Sequence, residues 1–308
     1  ALKTESDNRI FPISNNSQTI VDCFLRELQI KKIELIKNAR ILEIIPNING
    51  YYLCFKNHKI LFDKVIIASG GSAKSRGFDW LKNLGHHIIA PIPSLFTFNM
   101  PNESITKLMG VVVDNATVRI QGTKLEYQGP VLITHWGMSG PGILKLSSWG
   151  ARFLHDRNYE CNVQINWISI KNEEDVFHFF LEMFDSLKRK KMANANPFSL
   201  PSRIWLYFLD RLQISPNSIW LDLSKKNLNR LVNILLNDVY VVSGKTTFKE
   251  EFVICGGVSM DDVQVNTMES KVCPNIYFAG EVLNIDGITG GFNFQSAWTT
   301  GFIAGKLE

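Results

Sequence analysis

The residues whose types and spacing suggest chemistry most directly lie near the C-terminus. A short apolar run, 276–279, ends at Gly280 and the carboxylate of Glu281, and a helical pattern begins at about Asn293. The loop between them carries Gly287, Gly290 and Gly291. A carboxylate at the carboxyl end of a strand can hold sugar hydroxyls, and the start of a helix offers free backbone N–H groups to an electron-rich ligand. This order of strand, acid, glycine loop and helix predicts a binding site.

A second candidate lies in the segment 134–141, Thr-His-Trp-Gly-Met-Ser-Gly-Pro. His135 stands beside a glycine loop, where an imidazole can act as a general acid or base or orient a substrate. The sequence offers it no obvious partner carboxylate. We therefore keep two interpretations open, a catalytic histidine and a hydrogen-bonded structural one.

The C-terminal pattern needs a neighbouring strand, and residues 64–69 supply one. Lys-Val-Ile-Ile-Ala-Ser is a continuous apolar run that leads into Gly70, and such runs are typical of a strand covered on both faces. Ala68, Ser69 and Gly70 are small, so a ligand can approach the backbone there. Close packing of a helix on the strand is the alternative explanation for these small residues.

The composition is typical of a globular protein without a membrane span. The chain has 308 residues, of which 45% are apolar and 20% charged, and its net charge of +4 does not demand a polyanionic partner. The sequence has no apolar run long enough to cross a bilayer, and its N-terminus lacks the apolar part of a signal peptide. Five cysteines without a CxxC pair argue against a disulfide framework or a zinc ribbon. We therefore expect no metal and a reduced, cytoplasmic setting.

The distribution of patterns along the chain predicts an α/β fold with an inserted part. Residues 1–75 and 258–308 are expected to form one parallel-sheet unit, which the chain leaves and re-enters. Residues 76–169 and 237–257 are expected to form an inserted β-rich domain, and 170–236 a helical insertion within it.

Several stretches together resemble one known family. They are Lys3–Ser14, Lys64–Gly71, Val131–Pro141 and a C-terminal part with Gly256–Ser259, Thr267–Lys271 and residues 275–301. In these stretches the chain resembles the BaiN/YhiN-like flavoproteins, NAD(P)/FAD-dependent oxidoreductases of which some are described as aminoacetone oxidases. The match extends over nearly the whole chain and is weakest in the helical insertion.

The resemblance implies an FAD/NAD(P)-binding Rossmann-like domain and hydride transfer through the N5 atom of FAD to an unknown small substrate. NAD(P)H is the reductant that it suggests. Members of the family begin with a βαβ unit whose GxGxxG loop cradles the FAD pyrophosphate, and this sequence contains no such loop. We therefore expect an incomplete, N-terminally truncated form that lacks the first βαβ unit and is an enzyme when full length.

The resemblance also assigns cofactor-binding residues. Gly280 and Glu281 are expected at the ribitol or pyrophosphate part of FAD, residues 68–70 near the nucleotide, and Ile41, in the first strand of a predicted meander, at the adenine. The helix entrance is expected at the N1/C2=O edge of the flavin ring, and its residues are Gly290, Gly291, Phe292, Asn293, Phe294 and Gln295. The alternatives are an exposed loop acid at 281, a glycine turn needed only for folding, and a core strand residue at 41.

A second possible function belongs to another class, a non-catalytic remnant. Its helical insertion carries the basic run 188–191 and many aromatic residues, which would then bind a protein or nucleic-acid partner. However, cations are also favoured at the C-terminus of a helix, and aromatic stripes usually pack in a core. We expect a small-molecule substrate, no membrane and no nucleic acid, and the oligomeric state stays open.

Overall fold

The fold is described from a computed structural model in which residues 1–6, 8–246 and 253–307 are defined. The chain forms two compact units. The first contains Ala1–Ala90, Gly256–Ile285 and Gly290–Glu308, and the second contains Pro91–Cys255 and Asp286–Thr289. No helix among the defined residues is both long and apolar enough to span a membrane.

The α-helices of the defined residues are α1 (Gln18–Ile30), α2 (Asp79–Asn83), α3 (Pro141–Trp149), α4 (Ala151–His155), α5 (Glu173–Leu187), α6 (Ser202–Arg211), α7 (Lys225–Asn237) and α8 (Phe292–Ala304). The strands of the first half are β1 (Leu2–Thr4), β2 (Ile10–Pro12), β3 (Glu43–Asn47), β4 (Gly50–Cys54), β5 (Lys59–Phe62), β6 (Val65–Ile67), β7 (Ile88–Ser94), β8 (Thr97–Asn99), β9 (Val112–Ile120), β10 (Glu126–Thr134) and β11 (Gly137–Ser139). The remaining strands are β12 (Glu160–Asn166), β13 (Asp238–Ser243), β14 (Lys245–Thr246), β15 (Val253–Val258), β16 (Val263–Gln264), β17 (Glu269–Ser270) and β18 (Ile276–Phe278).

The first unit contains a four-stranded sheet in the order β16-β17-β18-β6. β18 and β6 are parallel, whereas the other pairs are antiparallel. Parallel neighbours require a long crossover connection, and here the connection between β6 and β18 includes Pro91–Cys255, the larger part of the second unit. The predicted meander is present beside this sheet as the antiparallel order β3-β4-β5.

The two parallel strands differ in how deeply they are buried. All three residues of β18 are buried, which explains the continuous apolar run in the sequence. In β6, Val65 and Ile67 are buried but Ile66 is 41% exposed. The prediction that this strand is covered on both faces was therefore wrong, because the face on which Ile66 lies is left partly open by the defined residues.

Helix α1 forms without packing into a core. Its apolar residues recur at helical spacing, yet none of its residues is buried. Val21, Phe24 and Leu25 keep 47%, 61% and 42% of their surface exposed. The amphipathic pattern therefore accounts for the helix, although its apolar face is not buried within the defined residues.

The second unit is built on a seven-stranded antiparallel sheet in the order β13-β12-β9-β10-β11-β8-β14. Helices α3, α5, α6 and α7 share one buried cluster with this sheet. Phe180, Trp205 and Phe208 lie in that cluster, so most of the aromatic stripe of the helical part is core. Sheet and helices therefore form one unit rather than a β-rich domain with a separate helical insertion.

The boundary between the units lies later in the chain than the sequence suggested. The first unit continues to Ala90 instead of residue 75. The reason is α2, whose Leu81 is fully buried in the core of the first unit, next to Phe78. Short surface helices of this kind are hard to assign to a domain from their sequence alone.

Candidate functional site

The carboxyl ends of β6 and β18 lie side by side in the first unit. The backbone N–H of Ala279 donates to the carbonyl oxygen of Ile67 at 2.9 Å, so the parallel pairing continues to the end of both strands. The structure therefore brings residues 68–70 next to Gly280 and Glu281. In parallel sheets, ligands bind outside the carboxyl ends of the strands.

Both strand ends turn through a glycine in the left-handed region, where a side chain is strained. Gly70 and Gly280 each have a φ of +75°. A side chain at Gly280 would lie 3.5 Å from the Ala297 side chain, whereas one at Gly70 would meet no atom within 4 Å. Gly70 is thus required by its backbone conformation and not by packing, and the space beside it is open.

Helix α8 begins after Gly291, whose φ of +92° ends the glycine loop. Its first helical hydrogen bond runs from the Gln295 N–H to the Gly291 carbonyl oxygen at 2.9 Å. The N–H groups of Phe292, Asn293 and Phe294 come before that bond, and no side-chain cap is formed at the N-cap residue. These groups carry the partial positive charge of the helix N-terminus.

The turn that contains Glu281 packs against α8. Gly280 donates its N–H to the Thr300 hydroxyl at 2.9 Å, and this hydroxyl in turn donates to the Ser296 carbonyl oxygen at 2.8 Å. Thr300 is only 7% exposed. The sequence analysis missed this residue, because a threonine inside an apolar helix has no pattern that distinguishes a strand anchor from a neutral position.

The predicted helix entrance is open to solvent within its unit. Glu281 and Asn293 are half-buried, whereas Phe292 and Phe294 are 57% and 74% exposed. The other exposed residues of the entrance are Gly290, Gly291 and Gln295. Core side chains therefore do not fill the entrance. If the glycine turn served only for folding, such filling would be possible.

Ile41 does not occupy the position that was predicted for it. It precedes β3, which begins at Glu43, and it is 45% exposed. The interpretations as a strand residue and as a core residue were both wrong, because pairing begins only where the Leu42 N–H donates to the Cys54 carbonyl oxygen at 2.8 Å. Its contact with an adenine stays a prediction.

His135 lies in the second unit, in the tight turn between β10 and β11. Thr134 and Gly137 pair at the base of this turn, so His135 and Trp136 occupy its tip. The imidazole is exposed and contacts the Trp136 ring edge-on, with 4.3 Å between the ring centroids. Within the defined part of the chain it has no carboxylate partner, and no group of three metal-ligating side chains occurs there either.

The comparison with protein families agrees with this architecture. The model of the HI0933-like protein Rossmann domain matches residues 1–307. The chain belongs to this family. Membership confirms the resemblance noted from the sequence, and it confirms the α/β fold with a Rossmann-like domain of the FAD/NAD(P)-binding type.

Characterised relatives of this HI0933-like chain include reductive enzymes. A 3-dehydro-bile acid delta(4,6)-reductase from Clostridium scindens is 24% identical over 305 residues, which are 96% of this chain and 74% of the relative. A ribosomal RNA dihydrouridine synthase from Escherichia coli is 25% identical over 297 residues, or 93% of this chain and 70% of the relative. The dihydrouridine synthase from Haemophilus influenzae is 24% identical over 282 residues, or 89% and 65%.

Proposed function

We propose that this chain binds FAD at the carboxyl ends of β6 and β18 and belongs to an oxidoreductase that reduces a carbon–carbon double bond next to a carbonyl group. One observation carries the proposal. The parallel pairing places residues 68–70 beside Gly280 and Glu281, and α8 packs against the same turn through Thr300. Strand ends, an acid and a helix start thus belong to one part of the first unit.

The residues present fit the ribitol and ring parts of a flavin dinucleotide, whereas the GxGxxG loop that cradles the pyrophosphate in related proteins is absent from this sequence. The half-buried carboxylate of Glu281 is suited to accept hydrogen bonds from ribose or ribitol hydroxyls. Gly70 and Gly291 have open space where a side chain would stand, so a ligand can approach their backbone. The N–H groups at the start of α8 would face the electron-rich edge of the ring and favour negative charge there. When bound, the flavin supplies hydride transfer through N5, with NAD(P)H as the proposed reductant.

The class of substrate is inferred from the chemistry that the relatives' names share. A delta(4,6)-reductase of a 3-dehydro steroid saturates carbon–carbon bonds of a ring system that carries a ketone. Dihydrouridine is uridine whose ring double bond, next to a carbonyl group, has been saturated. Both reactions add a hydride and a proton across a double bond that a carbonyl group activates. We propose this class of substrate for the present chain and do not propose an individual substrate.

His135 is the candidate for the residue that delivers the proton. Its imidazole is exposed at the tip of the β10–β11 turn, and Trp136 packs against it. An accessible imidazole can reach a bound substrate, and histidine is the side chain that most often acts as a general acid. This role is a proposal and rests on residue type and accessibility.

Ribosomal RNA is the second candidate substrate, because two relatives are named for it. The densest basic run of the chain gives this candidate little support. Lys188 forms an ion pair with Asp185 at 2.6 Å, and Lys191 donates to the Asn217 side chain at 3.3 Å. The ion pair offsets one of the four positive charges of the run and so weakens its attraction for an RNA backbone. A small unsaturated ketone is therefore the favoured class.

Two measurements test the proposal. Titration of the purified chain with FAD is expected to perturb the visible flavin absorbance and to quench its fluorescence. Anaerobic incubation with NAD(P)H and cyclohexenone is then expected to give cyclohexanone, with cyclohexanone itself as the unreactive control. A chain that binds FAD but reduces a uridine-containing ribosomal RNA fragment instead favours the second candidate. A chain without any FAD binding contradicts the cofactor site and favours a non-catalytic protein.

A further inference from the structure

The loop that follows β6 carries two cations outside the residues assigned to the flavin. They are Lys74 and Arg76, and both are exposed. The pyrophosphate of a flavin dinucleotide is doubly negative, and this sequence has no GxGxxG loop to hold it. Within this chain, positive charge for that part of the cofactor must therefore come from other residues.

The two cations lie near the end of β6 that belongs to the proposed site. Lys74 follows Gly70 by four residues, and an extended chain advances at most about 3.6 Å per residue. The Cα of Lys74 therefore lies within about 15 Å of Gly70, beside which the space is open. Strand end and loop both belong to the first unit.

A hydroxyl inside the loop holds the backbone of Lys74. Ser72 Oγ accepts from the Lys74 N–H at 3.3 Å and donates to the Lys74 carbonyl oxygen at 2.8 Å. The same carbonyl oxygen accepts from the Gly77 N–H at 2.9 Å. Gly77 makes this arrangement possible, because a side chain at its position would collide with the Ser72 hydroxyl. The cation of Lys74 is thus carried by a hydrogen-bonded turn.

The far end of the loop is anchored in the core of the first unit. Phe78 and Leu81 are 2% and 0% exposed, and Trp80 Nε1 donates to the Gly77 carbonyl oxygen at 2.8 Å. A loop that is ordered before binding loses little conformational entropy when a ligand binds. The anchoring therefore favours a binding role for the groups that the loop presents.

The charges of Lys74 and Arg76 are not neutralised by the acid nearby. The stretch 74–82 contains three cations and one acid, so its net charge is +2. The acid, Asp79, pairs with Lys82 at 3.3 Å, and Lys82 also donates to Ser75 Oγ at 2.9 Å. Among the described residues, the side chains of Lys74 and Arg76 form no ion pair or hydrogen bond.

We infer that Lys74 and Arg76 bind the pyrophosphate of FAD in the proposed site. Ammonium and guanidinium groups form strong, charge-assisted hydrogen bonds with phosphate oxygens, and a guanidinium can donate two at once. These bonds take the place of the backbone N–H groups that a glycine-rich loop offers. The inference rests on the proposed function and concerns the first unit alone.

The test compares FAD with riboflavin, which has the same ring and ribitol but no phosphate. The variants Lys74→Gln and Arg76→Gln are each expected to weaken FAD binding about tenfold, as for the loss of a hydrogen bond to a charged group. Riboflavin affinity should stay unchanged in both. Raising NaCl from about 50 to about 500 mM should weaken FAD binding to the wild type more than to the double variant, because salt screens the contacts that the double variant lacks.

Two sets of controls separate charge at this loop from other effects. The double variant Arg26→Gln with Lys31→Gln removes the same charges from exposed positions of the same unit and is expected to change neither flavin affinity. Lys74→Arg and Arg76→Lys keep the charges and should stay close to the wild type in FAD affinity.

Three results overturn the inference. The first is a double glutamine variant that keeps the wild-type preference for FAD over riboflavin. The second is an equal loss of both flavins, which indicates a disturbed fold. The third is a loss of NADPH binding with unchanged FAD affinity, which assigns the cations to the reductant. A wild-type chain that binds neither flavin instead contradicts the proposed function itself, and this inference with it.

Discussion

Gly280 and Thr300 connect the end of a buried strand to the middle of the C-terminal helix. The N–H of Gly280, the residue before Glu281, donates to the Thr300 hydroxyl at 2.9 Å. The helix therefore does more than cover the sheet. It holds the turn that presents the proposed ligand-binding acid.

Replacement of Thr300 by valine is expected to loosen this turn. The change keeps the shape of the side chain but leaves the Gly280 N–H without its acceptor, at a cost of about 1–3 kcal/mol. Hydrogen exchange of the Gly280 amide should accelerate accordingly, and FAD affinity should fall with it. Thr300→Ser is the matched control, because it keeps the hydroxyl and should stay close to the wild type. Equal exchange in the valine and serine variants would show that the hydroxyl does not hold the turn.

Replacement of Glu281 by glutamine is expected to weaken FAD binding about tenfold. The amide keeps one acceptor oxygen but loses the charge that strengthens hydrogen bonds to sugar hydroxyls. Fluorescence quenching of FAD measures the affinity, and urea unfolding measures the stability. Glu34→Gln removes an exposed acid from the same unit and serves as the control. An unchanged dissociation constant in the Glu281 variant would remove this residue from the site.

The parts of the site that the sequence predicted are those with strong local patterns. The buried strand at 276–278 and the helix at 292–304 were both evident, because an apolar run and a glycine-rich helix start are encoded in consecutive residues. The sequence also predicted that this strand and residues 64–69 belong to one parallel sheet, but it did not predict the register of β18 with β6. The register between strands that lie about 200 residues apart cannot be predicted from a single sequence.

The contacts that hold the site together were not predicted. The bond from Gly280 to Thr300 depends on groups that meet only after folding. Serine and threonine occur so often in surface positions that their type alone carries little information. The prediction for Ile41 was wrong for the opposite reason, because here the local pattern was misleading. The apolar run around Ile41 has strand propensity, but the strand begins two residues later and leaves Ile41 exposed.

Buried His86 is expected to make the first unit sensitive to mild acid. Its Nδ1 lies 3.2 Å from the Leu81 carbonyl oxygen and its Nε2 lies 2.8 Å from the Ser270 hydroxyl, so the neutral ring is fully bonded. Burial lowers the pKa of His86, although the backbone bond to Leu81 and the charge of Asp262 oppose this. The unfolded chain, with a histidine pKa of about 6.5, then binds a proton more readily than the folded unit does.

The sign of the effect follows from this difference in pKa. The contribution of His86 to stability is complete above about pH 7 and decreases as the pH falls below about 6.5 towards the lowered pKa of the folded state. Urea unfolding between pH 7.5 and about 5 measures it. His86→Gln should flatten this part of the profile, whereas His58→Gln, at an exposed position, should leave it unchanged. A profile for His86→Gln that is parallel to the wild type would contradict the assignment.

Asp238 and Arg211 form an ion pair in the second unit, and only its carboxylate is fully buried. Asp238 is 3% exposed, and Arg211 contacts its two oxygens at 3.0 and 3.1 Å. Trp167 donates to the same carboxylate at 3.0 Å, and the Tyr240 hydroxyl completes its hydrogen bonding. Burial raises the pKa of Asp238, and Arg211 together with the other donors opposes that rise.

Replacement of Arg211 by methionine is expected to lower the free energy of unfolding of the second unit by about 3 kcal/mol at neutral pH, because it leaves a buried carboxylate without its cation. Without Arg211 the pKa of Asp238 rises further, so protonation removes the unpaired charge at a higher pH than in the wild type. The difference in stability between variant and wild type should therefore shrink as the pH is lowered. Arg189→Met, at an exposed arginine, should have little effect. The double variant Arg211→Met with Asp238→Asn should recover most of the lost free energy of unfolding at neutral pH. If the double variant is as unstable as Arg211→Met alone, lost packing accounts for the destabilisation and the unpaired charge does not.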